Sequence, residues 1–148
     1  MEKLLWSFAL PGFGQFLNGK FLKGAVFIFL EFVINVQSNF NEVIQLSFHG
    51  HIELAIHQTN YEWLMFYPCL YFFAAWDAYR DDGNEKKPYL FLPFVFAAYS
   101  VTVGVIYSPN IRIMGVLLGP IWLPILFVIP GAGIGLLIRV LLLKYRPR

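Results

Sequence analysis

A chain of 148 residues that is 58% hydrophobic, 19% aromatic and only 14% charged, with mean hydropathy +0.61, falls outside the range of soluble globular domains. At roughly 20 apolar residues per crossing of a hydrocarbon core about 30 Å thick, this length holds about four spans and excludes a separate soluble catalytic domain. The formal net charge of +2 is small and the cations form no stripe, so no nucleic-acid partner is expected.

The N-terminal "MEKLLWSFALPG" imitates a signal peptide, with Lys3 ahead of an apolar run. It lacks a small-residue cleavage site and continues into further membrane sequence, so it is expected to be retained. In "LPGFGQFLNGKFLKG", residues 10–24, Pro11-Gly12 and Asn18-Gly19 are turn dipeptides that leave 6–10 and 13–17 as two short apolar pieces. Neither piece crosses a bilayer, and residues 1–20 are predicted as an interfacial or re-entrant segment. Irregular backbone there must find protein or water partners for its amides.

The first predicted span covers residues 21–36 and carries Glu31, which lies about 12 Å beyond Lys23 along a helix. An ionisable group at that depth is costly and marks a candidate functional residue. Asn35 follows at i+4, and Ser38 and Asn39 continue the face. Such a polar stripe lines a water-filled path or binds a partner helix. In the plainer reading Glu31 and Asn35 hydrogen-bond across the bundle as packing contacts.

Residues 37–60 contain no Lys or Arg. His49, Glu53 and His57 recur at i, i+4 and i+8, a spacing zinc sites use. Gln45 extends that row, while Ile44, Phe48, Ile52 and Ile56 form a parallel apolar row. That pattern predicts an outer amphipathic segment on the membrane surface, with neither metal nor cofactor.

A second span is predicted over residues 61–79, ending at "RDDGNEKKP". It contains Cys69, the only cysteine, which rules out an intramolecular disulfide and is expected to pack as a small apolar group. Near its end stands Asp77. This carboxylate could take hydrogen bonds from the turn amides of 10–24, pair with Lys20, Lys23 or Arg80, or merely end the helix in the headgroup zone. A third span follows at 89–107.

The last apolar tract, residues 111–144, is about 50 Å long if helical, too long for one perpendicular crossing. Pro120, Pro124 and "PGAGIG" at 130–135 supply bends, so a kinked span over 111–130 and a separate cytoplasmic interfacial helix and tail over 131–148 are predicted. The echo of 10–14 in 129–133 places both copies on one side, which counts against an inverted repeat.

Orientation follows from the cations. Lys3, Lys20, Lys23, Arg80, Lys86, Lys87, Arg139, Lys144, Arg146 and Arg148 fall on one side of this four-span arrangement and Arg112 on the other, so both termini are expected in the cytoplasm.

The stretch "PGFGQFLNGKFLKG" opening the first span and "WDAYR" closing the second resemble small bacterial membrane proteins related to the two-transmembrane-helix domain family. The resemblance covers about the first 80 residues and implies motif positions Pro11, Gly12, Gly14, Gln15, Phe16, Gly19 and Gly24, with Asp77 as the closing acid. It departs from the family in the long 37–60 insertion and in the third and fourth spans. The family pattern speaks to architecture and leaves activity open.

No H-E-x-x-H, G-x-S-x-G, P-loop or G-x-G-x-x-G motif occurs. The expectation is an all-α polytopic membrane protein in the cell membrane, about four transmembrane helices, with a non-catalytic structural, regulatory or accessory role. Its partners would be the bilayer and another membrane protein or a second copy. The alternative is a small proton or cation transporter or channel component using Glu31 and Asn35, with Asp77 as a further candidate.

Overall fold

The computed structural model describes residues 2–145. It is all-α apart from one two-residue hairpin. The expected contributions of Arg146 and Arg148 lie outside the described residues.

The two short apolar pieces become α1, Glu2–Ala9, and α2, Phe13–Leu17. Pro11 biases Leu10 away from helical backbone, and Gly12 turns the chain with a φ of 108°. At the end of α2 the Gly19 amide donates to the Phe16 carbonyl and the Lys20 amide to that of Gln15, both at 2.9 Å. This is the Schellman closure, and Gly19 supplies its left-handed residue at φ 72°. Helix α3, Phe21–Ser38, then runs 18 residues to Asn39, itself left-handed at φ 58°.

Residues 40–58 fold as two short helices in place of one surface helix: α4, Phe40–Phe48, and α5, Ile52–Gln58. Gly50, at φ 80°, turns the chain between them. Their buried residues Val43 and Ala55 close on Ile121, so part of the segment's apolar side faces protein.

The predicted second span is divided into α6, Tyr61–Leu64, and α7, Tyr67–Arg80. Pro68 cannot donate to the Leu64 carbonyl four residues earlier, which places the break at 65–66. Helix α8 spans Leu92–Tyr107. It begins three residues after its predicted start at Tyr89, which adopts φ 55°. After it, β1, Arg112–Ile113, pairs antiparallel with β2, Val116–Leu117. Both turn residues between them are left-handed, Met114 at 52° and Gly115 at 84°, matching the twist of a tight hairpin.

The final tract differs from its expectation. Residues 111–118 form the hairpin, and α9, Gly119–Lys144, is one 26-residue helix through Pro124 and Pro130. No separate interfacial helix begins at 131 within the described residues. The neighbouring helix bonds to α9 one residue from the Leu126 carbonyl that Pro130 leaves without its helical donor: the Ser100 hydroxyl donates to the Phe127 carbonyl at 2.8 Å. Two glycines hold α8 against this stretch. A Cβ on Gly131 would lie 2.6 Å from the Phe96 carbonyl oxygen, and one on Gly135 would lie 2.6 Å from the Pro93 Cα. Their four-residue spacing puts both on one face, a small-xxx-small seam.

Helix α7 touches α1, α2 and α3 on one side and α8 on the other, and α8 in turn carries α9. Phe72, Ala97, Ala98 and Val101 form the main core between α7 and α8. Large apolar side chains cover the outside, among them Leu22 at 81%, Phe29 at 64% and Ile129 at 74% exposure. By length and composition α3 and α9 can each cross a membrane, and α8 is a shorter apolar helix.

Candidate functional site

The "LPGFGQFLNGKFLKG" segment and the end of α7 meet in one polar joint. Asp77, whose side chain is 4% exposed, lies at its centre. Its Oδ1 accepts from Lys23 Nζ at 2.7 Å and Arg80 Nη2 at 3.3 Å; its Oδ2 accepts from Gln15 Nε2 at 3.1 Å. The same Gln15 amide donates to the Ala74 carbonyl at 2.8 Å, and Asn18 Nδ2 donates to that of Ala78 at 2.9 Å. Asp81, one turn beyond, faces Lys23 at 3.4 Å, Lys20 at 3.8 Å and Arg80 at 3.2 Å. Lys3 adds an ion pair to Asp82 at 3.1 Å.

Burial opposes the charged form of Asp81, but hydrogen bonds from Arg80 and Lys23, with their positive fields, outweigh it and hold that carboxyl below its ordinary range.

The glycines of the motif are close-approach points. A Cβ on Gly12 would sit 2.6 Å from the Gly24 carbonyl oxygen, and one on Gly24 would sit 2.9 Å from that of Gly12, so the turn and the first part of α3 cross backbone to backbone. Phe16 packs its ring on Gly24, and Pro11 is fully buried beneath. Gly14 faces Ser7 and Ala78, wedged between α1 and α7. Each motif position thus has a packing or turn-forming role, and Gln15 alone carries a polar group inward.

Of the partners expected for Asp77, the structure brings Lys23 and Arg80; Lys20 pairs with Asp81 instead. Gln15, Asn18 and Asp81 are members the sequence reading did not assign to it. Their signal was present: Asp77 and Asp81 are one helical turn apart, and so nearly are Lys20 and Lys23, which matches two acids to two cations on facing helices.

Glu31 occupies a second position, between α3 and α7. It is 8% exposed and faces the Tyr67 side chain of α7. Oε2 of Glu31 is buried with no hydrogen-bond partner among the described residues. Tyr71, next on the same face of α7, donates to the Phe8 carbonyl at 2.7 Å. The polar stripe otherwise divides: Asn35 turns outward to Asn41 at 3.2 Å, Ser38 donates back to the Ile34 carbonyl at 2.6 Å, and Asn39 holds the Gln58 carbonyl at 2.9 Å.

His49, Glu53 and His57 do not share one helix face. Gly50 ends α4 just after His49, and only Glu53 and His57 lie on α5, beside a shallow depression with His51 and Leu117. No group of three metal-capable residues occurs among the described residues. Cys69, expected to pack as a small apolar group, is exposed.

Compared with protein-family models, curated proteins and solved structures, the chain matches none.

Proposed function

We propose that this chain is a four-crossing membrane protein with both termini cytoplasmic, acting without catalysis as a structural, regulatory or accessory subunit beside another membrane protein or a second copy. The crossings are α3, α6 with α7, α8, and α9. The observation that carries the reading is the joint itself: the polar groups of the N-terminal motif engage α7, while the outer surface is apolar. Lys3, Lys20, Lys23 and Arg80 gather at one end, where Arg139 also reaches the Pro88 carbonyl at 3.3 Å. Arg112 lies in the hairpin at the other end, which supports the assignment of sides. The likeness of the 11–24 motif and Asp77 to the two-transmembrane-helix family supports the first two of these crossings.

Two measurements test this reading. In a Cys69→Ser background, single cysteines at Glu85 and Gly19 are expected to resist a membrane-impermeant thiol reagent applied to intact cells, and cysteines at His51 and Asn110 to react. The reverse pattern would overturn the topology. A photo-crosslinker at Leu22 or Phe29 is expected to give one discrete protein adduct; lipid adducts alone at both positions would overturn the subunit role.

Glu31 favours a second reading, a proton or cation path, because its buried Oε2 has no hydrogen-bond partner among the described residues. In proteoliposomes, Glu31→Gln would then abolish flux while preserving the folded elution profile. Flux equal to wild type, or wild-type flux no greater than empty liposomes, removes this reading.

A further inference from the structure

A groove of about 870 Å³ runs along the contact of α7 and α8, floored by Cys69, Phe72, Trp76, Phe94, Ala98 and Thr102. Its α8 wall, residues 91–102, is about 16 Å long, close to half of a roughly 30 Å hydrocarbon core. The groove therefore spans one leaflet. Thr102 turns its hydroxyl to the Ala98 carbonyl at 2.9 Å, so this floor residue directs its donor into its own helix. An apolar occupant fits.

The two ends differ. At the Trp76 end the Arg80 guanidinium stacks 4.7 Å from the indole centroid, and Lys87 Nζ stands 5.9 Å from the Tyr79 ring. Asp77 and Asp81 hold Arg80, whereas Lys86 and Lys87 are exposed. Trp, Tyr and Lys together at one level are the composition of a headgroup boundary, and lysines just outside a crossing attract anionic lipid. A partner helix fits less well. It would need a seam along a full crossing and small residues for close approach, whereas Phe73, Phe91 and Tyr99 stand along this groove.

We propose that the groove seats one acyl chain of an anionic phospholipid from the leaflet nearest the loop at 81–91, with its headgroup on Lys86 and Lys87. The inference rests on reading the chain as a membrane protein.

Trp76 is the reporter. A protein keeping only that tryptophan (Trp6, Trp63 and Trp122→Phe) is reconstituted in vesicles containing chain-brominated phosphatidylglycerol or phosphatidylcholine. Half-maximal quenching is expected at about thirtyfold lower mole fraction of the anionic lipid, the preference that two cations at a headgroup confer. Lys86→Gln with Lys87→Gln should bring the two lipids level. A protein keeping only Trp6, on α1 and away from the groove, should discriminate less than Trp76. Equal quenching of Trp76 by both lipids overturns the site and leaves the membrane reading standing. No quenching by either overturns the membrane reading and the site with it. Efficient oxidative cross-linking through Cys69 between copies in the bilayer would give the groove to a second chain and overturn the lipid.

Discussion

Asp77→Asn is expected to destabilise the contact between the N-terminal segment and α7 by about 3 kcal/mol. Removing one member of a buried ion pair costs roughly 3 to 5 kcal/mol because the other charge is left uncompensated. Here the cations can partly recover water, since the side chains of Lys23 and Arg80 are 41% and 37% exposed, and Asp81 remains 3.4 Å from Lys23. The loss therefore falls at the lower end of that range. It also acts locally. Gln15 keeps its bond to the Ala74 carbonyl and Asn18 its bond to that of Ala78, so α2 stays near α7 but opens more often. With local opening fast relative to cleavage, about 3 kcal/mol raises the open population by roughly two orders of magnitude. Limited trypsinolysis of reconstituted protein at Lys20 and Lys23 should accelerate by about that factor. Unchanged cleavage would mean that the joint is not held by Asp77.

The joint was legible in outline because its parts have local spellings. Pro11-Gly12 and Asn18-Gly19 mark turns by backbone sterics alone, and both turns form where those dipeptides stand. Asp77 was legible as an acid at the edge of an apolar run. Which cation it takes was not, because Lys20 and Lys23 differ by three positions on α3 and the choice depends on how α2 sets the rotation of that helix. Glu31 stood out by its cost in an apolar run, yet its neighbour Tyr67 is 36 positions away on α7, a proximity fixed only by tertiary packing.

Where the sequence reading and the fold part company, the cause is context. Pro68 breaks the second apolar run while Pro124 and Pro130 leave α9 continuous, although each proline withdraws one donor. The difference lies in the neighbours. At α9 the chain is pressed along α8, and Ser100 supplies a hydroxyl to the Phe127 carbonyl at 2.8 Å. At the second run the Asn60 side chain, at 3.5 Å from the Trp63 amide, instead caps the N-terminus of a separate short helix, α6. The row at His49, Glu53 and His57 failed for a related reason: periodicity extends only as far as the helix, and Gly50 ends it.

If the α8 seam is what holds α9 in one piece, adding a methyl group at Gly131 and at Gly135 will separate the two helices. The atoms in the way are backbone: the Phe96 carbonyl oxygen at 2.6 Å and the Ala97 Cα at 2.9 Å from a Cβ on Gly131, and the Leu92 carbonyl carbon at 2.8 Å from one on Gly135. No side-chain rotation relieves them, so α8 must move. Overpacking of this kind costs about 1 to 3 kcal/mol at each position, and the two sites, one turn apart on one face, need not add. Gly133 is the internal control. It sits between them on the same helix with nothing within 4 Å of a Cβ, so Gly133→Ala keeps the packing and gains the roughly 1 kcal/mol that alanine has over glycine in a helix. The expected order of thermal midpoints in detergent is Gly133→Ala at or above wild type, Gly131→Ala and Gly135→Ala below it, and the double variant lowest. If all three single variants shift alike, the effect is helix propensity and the seam is not what keeps α9 in one piece through Pro130.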